Sequence, residues 1–141
     1  MFVVFDLDGT LALTEHRNHH LEKDPKDWDA FHAACGDDAP NWPVIAVYNA
    51  LAAAGARVVI WTGRSSAVGN ETMEWLIRHQ VGAGGEVNEM VMRNADDFRS
   101  AQELKGVWLS EEPEPPHLAF DDNPGMVKWW REQGVVCMQV V

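Results

Sequence analysis

Phe2-Val3-Val4-Phe5-Asp6-Leu7-Asp8-Gly9-Thr10 is the stretch that decides the fold. Its first four residues are apolar and β-branched or aromatic, the pattern of a strand buried on both faces. The strand runs directly into two aspartates at i and i+2. In open parallel α/β sheets, ligands bind at the C-terminal ends of the strands. Gly9 allows the chain to turn sharply and to approach a ligand closely. A solvated acidic turn would use the same residues, so the reading depends on what the rest of the chain adds.

The rest repeats the arrangement. Arg57-Val58-Val59-Ile60-Trp61 reads as a second buried strand and delivers Thr62-Gly63-Arg64-Ser65 at its end. Leu118-Ala119-Phe120 reads as another, ending in Asp121-Asp122-Asn123. Between them lie helical segments: one opened by Pro43, with Val44, Val47, Tyr48 and Leu51 inward and Gly55 as its stop; and one over Asn70 to Gln80, with Met73, Leu76 and Ile77 inward. A loop over Gly82 to Gly85 leads to a strand over Val87 to Met92, then a helix from Asp96 to about Ser110. The acidic, proline-rich Glu111 to Pro116 is a surface connection. A helix from Pro124 stops at Gly134, and Val135 to Val141 is the last strand. Strands alternating with helices across short loops predict an α/β fold: a doubly wound, Rossmann-like parallel sheet with helices on both faces.

Residues 11–43 break that rhythm. They hold His16, His19 and His20 in a polar stretch, then a short helix started by Pro25-Lys26-Asp27 and ended by Gly36-Asp37-Asp38. This reads as a small cap insertion over the mouth of the site. The histidines lack partners at diagnostic metal-ligand spacing and read as loop residues.

The 141 residues suit one domain over 1–141, and 46% apolar content with seven tryptophans argues for a packed globule. No apolar run reaches the length of a membrane span, and because the sequence opens directly on a strand no signal peptide is expected. Two cysteines, Cys35 and Cys137, fit a reduced compartment, so cytoplasm is the expected location and no membrane partner is expected. The formal charge of −11 opposes an extended nucleic-acid groove. It leaves room for a small, locally positive pocket that takes the end of a strand.

Phosphate-monoester cleavage needs a nucleophile, a proton donor and dense positive charge on the transferring group. Asp6 can attack phosphorus and form an aspartyl-phosphate; Asp8 can protonate the leaving oxygen and later activate water. Asp6 approaches a phosphate only if its charge is offset, which suits Mg²⁺, a cation that prefers oxygen ligands. Asp121 and Asp122 are the additional ligands this placement suggests. Thr62 and nearby backbone N–H groups can donate to phosphate oxygens, and Lys105, flanked by Leu104 and Trp108, can supply a fixed charge.

With Asp6-Leu7-Asp8-Gly9-Thr10, Thr62-Gly63-Arg64, Lys105 and Asp121-Asp122 in order, the chain resembles the haloacid dehalogenase (HAD) superfamily of phosphotransferases. The resemblance covers nearly the whole sequence. It implies a HAD-like sheet with a variable cap, Asp6 as nucleophile, Asp8 as acid/base, Thr62 and Lys105 on phosphate, and Mg²⁺ held by Asp6, Asp8 and the Asp121-Asp122 pair. Counting back from Gly134, it implies Asp122 as the principal ligand of that pair. Ile60 to Ser65, Met92-Arg93, Asp97, Arg99, Lys105 and the tail from Asp121 are similar, more narrowly, to the 3′-phosphatase half of phage polynucleotide kinases. That likeness implies substrate binding by Gly63, Arg64, Arg93 and Arg99. No G-x-x-x-x-G-K-[ST] stretch occurs, so this chain carries no P-loop kinase half.

The expected activity is a Mg²⁺-dependent phosphatase, acting on the 3′-phosphate of a nucleic acid or nucleotide. The alternatives are a phosphatase of small metabolites or free nucleotides, and a non-catalytic phosphate-binding relative. Intact Asp6 and Asp8 argue against the last.

Overall fold

The computed structural model describes residues 1–82, 87 and 89–141. The chain opens with β1 (Phe2–Phe5), every residue of which is buried. The inserted segment follows, with strand β2 (Ala12–Leu13), helix α1 (Trp28–Ala33) and strand β3 (Ala39–Pro40). β2 and β3 pair antiparallel, closing the insertion on itself. Asp27 caps α1, accepting the Ala30 N–H at 3.0 Å. Then come α2 (Trp42–Ala53), β4 (Arg57–Ser65), α3 (Gly69–Arg78), β5 (Met90–Arg93), α4 (Ala101–Glu111), β6 (Leu118–Asp121), α5 (Pro124–Glu132) and β7 (Val136–Gln139).

The five longer strands form one parallel sheet in the order β5-β4-β1-β6-β7. The chain leaves β1 in one direction for β4 and β5, then returns across it to β6 and β7. The reversal puts a crevice at the C-terminal ends of the central strands, the place where such sheets bind ligands. The alternation of β1 assigns the two cores. Val3 and Phe5 pack with Ile45 and Tyr48 of α2 and with Trp75 and Leu76 of α3. Phe2 and Val4 pack on the other side with Met126, Val127 and Trp130 of α5 and with Trp108 of α4.

Several boundaries and faces differ from the sequence reading. β4 does not stop at Trp61 but continues to Ser65, because β5 pairs with it through a register shift between Thr62 and Ser65. α2 turns Ile45 and Tyr48 inward and leaves Val47 exposed; it is apolar nearly all round, so its pattern does not single out a face. α3 buries Thr72, Trp75 and Leu76 and exposes Met73 and Ile77. There the Trp75 indole N–H donates to the Asp38 carbonyl at 2.7 Å and sets the helix's rotation. α4 starts at Ala101, not Asp96, because Ser100 and Glu103 form a capping box. Phe98, read as a helix residue, therefore stands in the loop before it. β5 starts at Met90 rather than Val87, and the loop expected over 82–85 lies largely outside the described residues. Among the described residues, no helix is long and apolar enough to cross a membrane.

Candidate active site

Phe5 lies opposite Ile60 on one side and Phe120 on the other, so Asp6 emerges between β4 and β6, level with Asp121. Its N–H continues the ladder by donating to the Phe120 carbonyl at 2.9 Å. The next residues close a tight turn in which the Leu7 carbonyl accepts the N–H groups of Thr10, Leu11 and Ala12 at 3.2, 3.0 and 2.9 Å. Gly9 sits at φ +82°, and a Cβ there would come within 2.2 Å of an Asp122 carboxylate oxygen. Both the turn and the approach of Asp122 therefore require glycine.

Two charge clusters flank this turn. In the first, carboxylate oxygens of Asp6, Asp121 and Asp122 lie within 4.8 Å of one another. One buried ammonium serves them: Lys105 Nζ donates to Asp6 at 2.7 Å and to Asp121 at 2.9 Å. Asp121 also accepts the Asn123 N–H at 3.2 Å and the Trp130 indole N–H at 3.4 Å, whereas Asp122 meets the Thr10 hydroxyl at 3.5 Å. Negative charge is in excess. Burial pushes Asp6 up to about 8, with Lys105 opposing and Asp121 adding to the rise. Burial and then Asp121 also raise Asp122. Burial works against the Lys105 charge, but Asp6 and Asp121 outweigh it and hold the ammonium above its ordinary pKa. An all-oxygen donor set with surplus negative charge and carboxyl pKa values pushed upward fits a hard divalent cation.

The second cluster is balanced. Asp8 accepts from Arg17 Nη2 at 2.6 Å and from Arg64 Nη2. Arg17 also donates to Asp38 through Nε at 2.6 Å and Nη2 at 2.7 Å, and Arg64 Nη2 reaches Asp38 at 3.0 Å. Both guanidiniums are fully buried. Arg17 is further fixed by the Phe31 carbonyl at 3.1 Å and by lying 4.0 Å over the Phe31 ring; Arg64 donates to Thr72 at 3.2 Å. Burial alone would raise Asp8, but Arg64 and Arg17 overcome it and hold the carboxyl below its ordinary range.

The Asp8 side chain thus faces two arginines and is not part of the acidic trio to which the sequence reading joined it. Arg64, which a surface reading would have left in solvent, is buried at the centre. Thr62, also buried, accepts the Arg64 N–H on its hydroxyl at 3.0 Å, leaving the hydroxyl proton free to donate. Arg93 sits beside Gly63 but donates to main-chain carbonyls: Gly63 at 2.8 Å, Asp97 at 2.9 Å and Arg99 at 2.6 Å. Arg99 is half-exposed and paired with Asp97, whose carboxyl it holds at about 2 by side-chain and then backbone hydrogen bonds. His16 bonds Asp38 at 2.9 Å, while His19 and His20 lie against each other, centroids 3.9 Å apart and planes tilted by 40°. The acidic trio is the one grouping among the described residues with three potential metal ligands in reach.

Arg17 and Asp38 escaped the sequence reading. Each is a charged residue in a polar loop with no motif around it, and only tertiary contact reveals its role. The insertion that carries them closes onto the sheet through these buried ion pairs, not only through apolar packing.

Comparison with known proteins gives the family and the fold. The family model described as "Polynucleotide kinase PNKP phosphatase domain" matches residues 1–141. Among solved structures, the chain is similar to one from a Pnkp1/Rnl/Hen1 complex, at 26% identity and TM-score 0.79, covering 98% of this chain and 45% of that one. A structure of the Pnkp1/Rnl/Hen1 RNA repair complex matches at 27% identity and TM-score 0.79, covering 98% and 41%. The chain thus spans less than half the length of these two. Protein tyrosine kinase A of Mycobacterium tuberculosis shares the fold, at 15% identity and TM-score 0.64, covering 98% and 82%.

Proposed function

The chain belongs to the phosphatase-domain family of PNKP polynucleotide kinases, and from that premise we propose that it is a Mg²⁺-dependent phosphatase of polynucleotide or nucleotide 3′-phosphates. It is a phosphatase-type HAD domain with a five-stranded parallel sheet. The finer reading is a single doubly wound domain over 1–141, with residues 11–43 as its cap. The observation that carries the proposal is Asp6 on the central strand. It is held by Lys105 within the acidic trio and stands one turn from an Asp8 that two buried arginines clamp.

Asp6 attacks phosphorus and carries the phosphoryl group as an aspartyl-phosphate. Mg²⁺ held by Asp6, Asp121 and Asp122 would supply the positive charge that lets two anions meet. Lys105 orients the Asp6 carboxylate, and the Thr62 hydroxyl donates to a phosphate oxygen. In the free protein Asp8 is a carboxylate. A phosphate dianion entering beside it disfavours that charge and competes for the guanidinium donors of Arg64, so both effects raise Asp8 toward the protonated form. Asp8 then protonates the leaving 3′-oxygen and afterwards takes a proton from the water that attacks the aspartyl-phosphate. The related structure in an RNA repair complex supports a nucleic-acid end as substrate.

The test is kcat/KM on matched 3′- and 5′-phosphorylated oligonucleotides, with Mg²⁺ and with EDTA. We expect activity on the 3′ end, weak dependence on length, and its loss in EDTA. Equal use of both ends would favour a phosphatase of free nucleotides or metabolites.

A further inference from the structure

A cavity of about 430 Å³ adjoins the phosphate-side residues at Gly63. Trp28 and His32 of α1 contribute to its walls, as do Arg93 at the end of β5 and Phe98 and Arg99 beyond it. Two of these side chains keep half or more of their surface in solvent. Phe98 is 90% exposed and Trp28 is 50% exposed, in a chain that buries most of its large apolar residues.

Neither aromatic is left outside by a loose backbone. The loop bearing Phe98 is pinned on both sides, since Arg93 donates to the carbonyls of Asp97 and Arg99 while Asp97 accepts the N–H and guanidinium of Arg99. Trp28 is positioned by His32, stacked with centroids 6.0 Å apart and planes 27° from parallel, and by the edge of Phe31 at 5.9 Å. Exposed rings on fixed supports, around a concavity beside a phosphate site, are built for a flat apolar ligand.

Charge narrows the choice. A net charge of −11 opposes holding a strand along its phosphate backbone. Stacking on aromatic rings is uncharged and indifferent to which base is present. We infer that Trp28 and Phe98 hold the terminal nucleobase of the strand whose 3′-phosphate enters the Asp6 site. This inference rests on the 3′-phosphatase reading and adds to it a recognition element for the nucleoside.

The experiment compares three substrates on the full chain: a short 3′-phosphorylated oligonucleotide, the same strand with an abasic 3′-terminal residue, and an aryl phosphate. Phe98→Ala is the main variant, since so exposed a side chain is not needed for folding; Trp28→Ala and Trp28→Phe accompany it. Removing the base, or Phe98, should lower the ratio of oligonucleotide to aryl-phosphate efficiency by roughly 5- to 100-fold, the loss expected for one stacked base. The two losses should not add, and Trp28→Phe should retain most of the ratio. An unchanged ratio in Phe98→Ala, or full use of the abasic end, overturns the inference while leaving the phosphatase intact. Binding is read separately by the fluorescence of 2-aminopurine placed at the 3′ terminus. Quenching in wild type that Phe98→Ala loses supports the clamp even if no ester is hydrolysed, a result that would sink the phosphatase reading alone. No quenching in wild type overturns the clamp.

Discussion

The two charge clusters beside Asp6-Leu7-Asp8 are both built from aspartates and buried basic side chains, and they behave oppositely. In one, three carboxylates share one ammonium; in the other, two carboxylates face two guanidiniums. The balanced cluster is complete in itself, and it joins the insertion to the sheet. The unbalanced one is short of positive charge, and burial, with the neighbouring Asp121 charge adding to it, pushes Asp6 and Asp122 up. A buried excess of negative charge destabilises a fold unless something binds there. The difference therefore separates a cluster that holds the structure together from one whose surplus charge suits a bound cation.

The largest effect that would break this comparison comes from Asp6→Asn. Turnover should fall to background, because the amide is a poor nucleophile of nearly the same shape. Thermal stability in EDTA should not fall with it, since the change removes one of three crowded carboxylates. A variant that keeps near-normal activity would sink the aspartyl-phosphate route. One that loses activity only by unfolding would show that Asp6 is structural.

Asp38→Asn should do the reverse. Asp38 is fully buried and touches both arginines, so neutralising it leaves two buried guanidiniums with Asp8 alone. Breaking one side of a buried ion pair costs about 3–5 kcal/mol, which urea denaturation would read directly. Stability within error of wild type would mean that the balanced cluster does not hold the insertion down.

Much of this was legible in the sequence, for a physical reason. Strands buried on both faces must be continuous apolar runs, so Phe2–Phe5 and the start of β4 announced themselves, and the chemistry followed at their ends. The faces of α2 and α3 did not, because alternative apolar stripes fit the same residues. Trp75 won over Ile77 through a hydrogen bond to a loop carbonyl far away in sequence. The start of α4 was readable in Ser100 and Glu103 but was overridden by the apolar Phe98 before it. Arg17 and Asp38 were not readable at all. A charged residue in a loop is solvated in most proteins, and only the fold places these two against Asp8 and Arg64.

The smallest effect sharpens the comparison through pH. In metal-free protein Asp6 has its pKa raised from 3.8 to about 8 by burial, less the attraction of Lys105 and with Asp121 adding to it. The folded state then binds more protons than the unfolded one across that interval, so stability must fall as pH rises through it. Asp8, lowered by Arg64 and Arg17 against its burial, has the opposite sign: its contribution is present above 3.8 and is lost only as pH falls below. Histidines intrude on the first window, because burial lowers His32 and His79, and such groups add stability as pH rises toward their ordinary range near 6.5. The Asp6 contribution is therefore best read above pH 7 and as the difference between wild type and Asp6→Asn. In EDTA, the Tm of wild type should fall by a few degrees relative to the variant between pH 7 and 8.5. Added Mg²⁺ should abolish that fall, since a cation on the trio favours the ionised carboxylate. A difference that stays flat in EDTA would mean that the three carboxylates are not in conflict, and the distinction between the two clusters would collapse.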